Sequence, residues 1–130
     1  MENMHVPVSP GEVLDKITIL EIKSERISDP GKVANVRSEL ALLQETWSNI
    51  IRDDETIRRL HAQLKEINEA LWEIEDDIRD KERLREFDDR FIELARAVYV
   101  TNDRRSQVKK ELNLHLGSGI VEEKSYQDYT

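Results

Sequence analysis

An all-α fold, four main helices packed as antiparallel hairpins into a helical bundle, follows from three features of this 130-residue chain. Apolar residues recur at alternating steps of three and four along most of its length, which is the spacing of a buried helix face. Glycine and proline cluster at the two ends, so nothing between Lys32 and Leu116 interrupts a helix. Charged residues make up 37% and aromatics only 5%, a balance suited to long helices with solvated outer faces.

The first helix is expected over about 10–28. Ser9 is its cap, Pro10 takes the first helical position, and Glu12 stands where a capping box needs an acid. Val8 and Val13 stand at staple positions, and Val13, Leu14, Ile17, Leu20 and Ile27 form the inward side. Asp29-Pro30-Gly31 is a turn that also restarts the chain as helix two, about 30–52, whose seam is Val33, Val36, Leu40, Leu43, Trp47 and Ile50. Helix three, about 55–83, carries Ile57, Leu60, Leu64, Ile67, Leu71, Ile74 and Ile78. Its seam is out of phase with that of helix two, so a turn at 52–55 is expected, with one continuous helix as the alternative. Helix four, about 88–115, starts at a Phe87 and Asp88 staple and cap, with Phe87 facing Ile92, and stops at Gly117. Residues 1–130 read as a single helical domain with an extended arm at 1–8 and a non-periodic tail at 117–130, either strap or frayed end.

Composition narrows the function. The 20 basic and 28 acidic side chains give a formal charge of -8, which argues against nucleic acid or an anionic membrane as the partner. Without cysteine there are no disulfides, thiolate metal sites or cysteine nucleophiles. With no spanning segment or signal peptide in view, a cytoplasmic location is expected. No catalytic residue, metal ligand set or cofactor motif stands out. His5, His61 and His115 lack an acid at metal-binding helical spacing, and His61 reads as lying on a solvated face. Glu66, Glu69, Glu73 and Asp76 look like half of the acidic motif of all-helical nucleotide pyrophosphohydrolases, but the second half is replaced around Glu93 by Glu-Leu-Ala-Arg. Lys23, Arg26 and Arg37 resemble the basic residues of all-helical chorismate mutases, too loosely spaced to transfer a role.

Two mixed polar stripes carry more information. Helix three presents Asn68, Trp72, Glu75, Arg79 and Glu82, and helix four presents Arg96, Tyr99, Asn102 and Asp103. In a hairpin pivoting near Arg85 and Glu86, residues whose numbers sum to about 171 face one another. That register pairs Glu75 with Arg96, Trp72 with Tyr99, and Asn68 with Asp103. A network of this kind would set helix register or receive a polar ligand, and Arg79, Arg96 and Lys16 or Lys23 are expected to converge on it. The competing reading is a set of surface ion pairs, each worth about 0–1 kcal/mol and without function. Arg96 to Lys110 holds five bases and one acid, a run able to bind an anion or an acidic surface, or simply to complement the helix dipole.

Several segments together resemble a small domain-of-unknown-function family of bacteria and their phages, over nearly the whole chain. They are Val8 to Glu12, Leu14 to Lys23, Asn68 with Leu71-Trp72, Ile74-Glu75-Asp76, Ile78-Arg79, Phe91 to Arg96, Thr101 to Arg105, and Glu122 to Tyr126. The resemblance implies no established activity, and a setting among glycosyltransferase or surface-polysaccharide genes. It adds Asp15, Lys16, Glu21 and Lys23 on helix one and the segment Glu122 to Tyr126, and Arg104 in the Thr101 to Arg105 segment counts among the candidate ligand or network residues as well. The expected function is therefore a non-enzymatic binding or adaptor module, a homodimer, with a protein partner or an anionic small molecule as ligand. The alternative is a small enzyme acting on a phosphorylated or nucleotide-linked metabolite.

Overall fold

The computed structural model describes residues 1–130 and contains four helices and no strand: α1 (Pro10–Arg26), α2 (Pro30–Ile50), α3 (Glu55–Leu84) and α4 (Asp89–His115). Each helix starts on a side-chain cap that satisfies one of the backbone N–H groups left free in a first turn. Ser9 Oγ accepts from Glu12 N–H at 3.2 Å, Asp29 from Lys32 at 2.9 Å, Asp54 from Ile57 at 2.7 Å and Asp88 from Phe91 at 3.0 Å. The chain turns between α2 and α3, with Ile51 and Asp54 both extended, so the continuous-helix alternative is excluded.

Ion pairs reveal how the helices run. Asp54 to His115, Arg59 to Glu111 and Lys81 to Asp88 join α3 and α4 with numbers that sum to 169 or 170, an antiparallel hairpin about the left-handed Arg85. Gly11 meets Asn113, Glu12 meets Lys109 and Asp15 meets Arg105, so α1 is antiparallel to α4. Against α3 it is parallel, through Glu21 to His61, Glu25 to Lys65 and Arg26 to Glu69. α2 runs along α1 and sends Trp47 to the edge of the core. The four-helix bundle is thus built on a core of α1, α3 and α4, with α2 as an outer layer on α1.

The core lies at the open end of the α3–α4 hairpin, where Leu14, Ile57, Leu60, Leu64 and Leu112 are enclosed and Trp47, Ile51, Val108 and Leu116 close its edge. Each such side chain stabilises the fold by about 1.5–3 kcal/mol relative to exposure. α1 ends at Arg26 beside Glu69 and Glu73, so the hairpin projects beyond it as two helices. That overhang explains why the expected Phe87 to Ile92 staple does not form. Nothing covers it, both side chains are exposed, and Phe87 stacks edge-on against Phe91 instead. Val8 is likewise exposed, lining an apolar recess with Val13 and Trp47. Nor does Glu12 complete a capping box, because its carboxylate is drawn to Lys109 at 2.8 Å. After Gly117, which ends α4 at φ +64°, the tail runs back along α4 as a strap through Glu122 to Lys109, Glu123 to Lys110, and Lys124 and Tyr129 to Asp103.

Candidate functional site

A carboxylate lies inside the three-helix junction. Asp15 is 2% exposed, between the aliphatic neighbours that α1 turns toward α3 and α4. Burying a charge in that setting costs several kcal/mol unless it is paired and hydrogen-bonded. Arg105 of α4 supplies a fork, with Nε donating to Asp15 Oδ1 at 3.0 Å and Nη2 to Oδ2 at 2.6 Å. Asn68 of α3 donates Nδ2 to Asp15 Oδ1 and Thr18 Oγ1, both at 2.9 Å, and Thr18 returns its hydroxyl to the Asp15 carbonyl. Arg105 Nη1 also donates to Asn102 Oδ1 at 3.2 Å. Lys109 Nζ, one turn further along α4, sits 2.8 Å from Glu12, 3.4 Å from Glu122 and 3.7 Å from Asp15. No buried side-chain nitrogen or oxygen lacks a partner.

These contacts set the protonation states. Burial pushes the Asp15 carboxyl up, but the hydrogen bonds from Arg105 and Asn68 and the charges of Arg105 and Lys109 outweigh it, holding it below the usual carboxylate range. Burial pulls Lys109 down, and Glu12, Asp15 and Glu122 more than restore it, so its ammonium is held above the ordinary lysine value. At neutral pH Asp15, Arg105 and Lys109 are therefore all charged.

Two cavities flank this junction and share Asn102 and Arg105 as their common wall. The first, about 440 Å³, has Ile19, Ile22, Leu71 and Trp72 as its apolar lining, with Glu75, Asp76 and Arg79 on the α3 side. The second, about 430 Å³, lies between α4 and the strap and is lined by Tyr99, Asp103, Lys109, Glu122, Lys124 and Tyr126 among others. A ligand spanning the Asn102 and Arg105 wall would touch all three core helices and the tail.

The structure distributes the expected residues unevenly. Asp15, Asn68 and Asn102 meet in the network, and Trp72, Glu75 and Arg79 line the first cavity. The three expected rungs do not form. Glu75 bonds Arg79 on its own helix at 2.6 Å, Arg96 Nε lies 3.4 Å from Tyr99 Oη, and Asp103 turns to Lys124 and Tyr129. Tyr99 packs edge-on against Tyr129 rather than Trp72. The pivot lies within two residues of the expected one, but these side chains find closer partners on their own helix or the strap. Glu21 bonds His61 at 2.7 Å, which places that histidine in a contact between helices instead of on a solvated face. The side chains of Lys16, Lys23 and Arg104 make no hydrogen bond or ion pair within the chain, and Arg96 is exposed, so the expected convergence of Arg96 with Lys16 or Lys23 is corrected. The cations at the junction are Arg105 and Lys109. Both fell inside the basic run from Arg96 to Lys110, and their i, i+4 spacing was the signal available for them.

No group of three or more histidine and carboxylate side chains converges as metal ligands would. Of the four acids compared with pyrophosphohydrolases, Glu69 and Glu73 are engaged by Arg26. No helix is long and apolar enough to cross a membrane. No curated protein and no solved structure is detectably similar to the chain. A family model does match, over residues 4–129, and by that match the chain belongs to the family of unknown function DUF6165.

Proposed function

We propose that this protein is a binding module whose site is the cleft on either side of Asn102 and Arg105, and that its ligand is an anion, a carboxylate or phosphate ester, carrying an apolar portion. The observation that carries the reading is the set of donors left unpartnered around the first cavity. Asn102 uses its oxygen on Arg105 and keeps its amide hydrogens free, the Trp72 indole N–H bonds nothing in the chain, and Arg79 and Arg105 each hold guanidinium hydrogens in reserve. Ile19, Ile22 and Leu71 supply an apolar lining on which the rest of such a ligand can rest. Asp15 fixes Arg105 in place, so its free edge is oriented before any ligand arrives.

The test uses Trp72 as its own reporter in a Trp47→Phe background, which leaves one indole in the chain. Phenyl phosphate, phenylacetate, inorganic phosphate and an acidic peptide are titrated separately, followed by fluorescence and thermal shift. Saturable quenching by the aryl anions, weakened at least about tenfold in Asn102→Ala and Arg79→Ala, is the expected result. A response to the peptide alone would make the ligand a protein segment. No saturation by any probe up to about 10 mM, where binding is worth under ~3 kcal/mol, would overturn the reading.

A further inference from the structure

The tail beyond α4 forms the outer wall of the second cavity. From Gly119 to Thr130 it contains no helix or strand, and none of its backbone groups bonds to a helix. Side chains alone hold it down. Glu122 reaches Lys109 at 3.4 Å, Glu123 reaches Lys110 at 3.0 Å, and Lys124 and Tyr129 share Asp103 at 3.2 and 2.7 Å. Tyr129 adds an edge-on ring contact with Tyr99. Behind these anchors lies the space of about 430 Å³ whose lining includes Asn102 and Arg105.

Such anchors exchange readily. Ion pairs whose carboxylates keep this much access to water, 61% for Glu122 and 73% for Glu123, are weak and screened by salt. Gly117 and Gly119 flank Ser118 where the tail leaves α4, and a Cβ at either would meet nothing within 4 Å, so the chain can swing there without a clash. The charges also suit a removable cover. Of the three acids around Lys109, Glu12 belongs to α1 and Asp15 is enclosed and clamped by Arg105, whereas Glu122 comes from the tail. Its carboxylate lines the same cavity as Arg105 and repels an anion approaching from that side.

We propose, resting on the assignment of the cleft to an anionic ligand, that the tail is its displaceable cover. Glu122, Glu123, Lys124 and Tyr129 close it in the free protein, and it is released when the ligand's anion takes the place of Glu122 beside Arg105 and Lys109. Because Glu122 and the ligand compete for the same cations, each weakens the other's hold, and by linkage the coupling is equal in both directions. A protein with a loosened tail therefore binds the ligand more tightly, and bound ligand frees the tail.

Two variants of the full chain loosen the tail with opposite changes of charge. Glu122→Gln/Glu123→Gln removes acids, and Lys124→Gln/Tyr129→Phe removes a cation that lines the cavity. Titration with phenyl phosphate, read by Trp72 in the Trp47→Phe parent, should show at least about fivefold tighter binding for both, the gain when the tail is closed for about four-fifths of the time. The second variant is decisive, because loss of a lysine beside an anion would by charge alone weaken binding. Release is read directly by a nitroxide on Ser125→Cys, in a chain that has no other cysteine. The label should broaden amide resonances between Tyr99 and Lys110 in the free protein, and saturating phenyl phosphate should relieve the broadening. Unchanged or weaker binding in the lysine variant overturns the cover while the cleft stands as an anion site. So does broadening that is absent from the free protein or persists at saturation. No saturation in the parent or either variant overturns the cleft as an anion site, and the cover with it.

Discussion

At the scale of single residues, the tightest constraint is a glycine. Gly11 donates its N–H to Asn113 Oδ1 at 2.7 Å, so a side chain of α4 caps the first turn of α1. The approach is so close that a Cβ at this position would lie 2.8 Å from the Lys109 carbonyl oxygen and 2.9 Å from Asn113 Oδ1. A backbone carbonyl cannot swing aside as a flexible side chain can. Gly11→Ala should therefore destabilise the fold by about 1–3 kcal/mol in urea titration, against the gain of up to about 1 kcal/mol that alanine brings to an ordinary helix position. A stabilised variant would mean that α1 and α4 are further apart than described. Asp15 shows the same dependence on distant partners, since each group that satisfies its carboxylate comes from α3 or α4.

Among the elements, α1 does most to hold the molecule together. It is the only helix that packs on all three others, burying Leu14 and Ile22 together with Ile17 and Leu20. Leu20→Ala should cost about 2–5 kcal/mol by equilibrium unfolding, the range for a fully enclosed leucine. A loss under about 0.5 kcal/mol would show α1 to be a peripheral arm. The limits of α1 were legible in Ser9, Pro10 and the Asp29-Pro30-Gly31 turn, because caps and breakers act within a few residues of themselves. The inward side was only partly legible. Ile22 was absent from the expected face, and Asp15 and Thr18, which a hydrophobic pattern assigns to solvent, are among the most enclosed side chains of the helix.

For the whole molecule, the ionic junction makes stability depend on pH. The folded state holds Asp15 below its unfolded value, so its contribution is complete above about pH 4, the unfolded carboxylate range, and is lost as pH falls through the folded value. Asp15→Asn should be less stable by about 3 kcal/mol at neutral pH, the low end for breaking a buried pair, because Arg105 retains access to water. Stability profiles between pH 7 and pH 2 should then converge at the acid end. Equal slopes for the two proteins would show that other carboxylates govern acid unfolding.

Four helices, the caps at Ser9 and Asp88 and the hairpin pivot near Arg85 could be read from the chain alone, because each depends on periodicity or on side chains within a turn of the backbone they serve, whereas the phase shift at 52–55 favoured a turn without excluding a continuous helix. The identity of the polar network could not. Asn68, Asn102 and Asp15 were visible as candidates, but Arg105, ninety positions from Asp15, becomes its partner only through the docking of α1 in the groove between α3 and α4. A shift of one residue turns a side chain by about 100° around its helix, so a hairpin register correct to within two residues still leaves open which of Arg96, Arg104 and Arg105 points inward. Tertiary packing decided that choice. The cost of burying Asp15 unpaired exceeds anything a local preference can offset, so the helix rotation that gives it a guanidinium prevails.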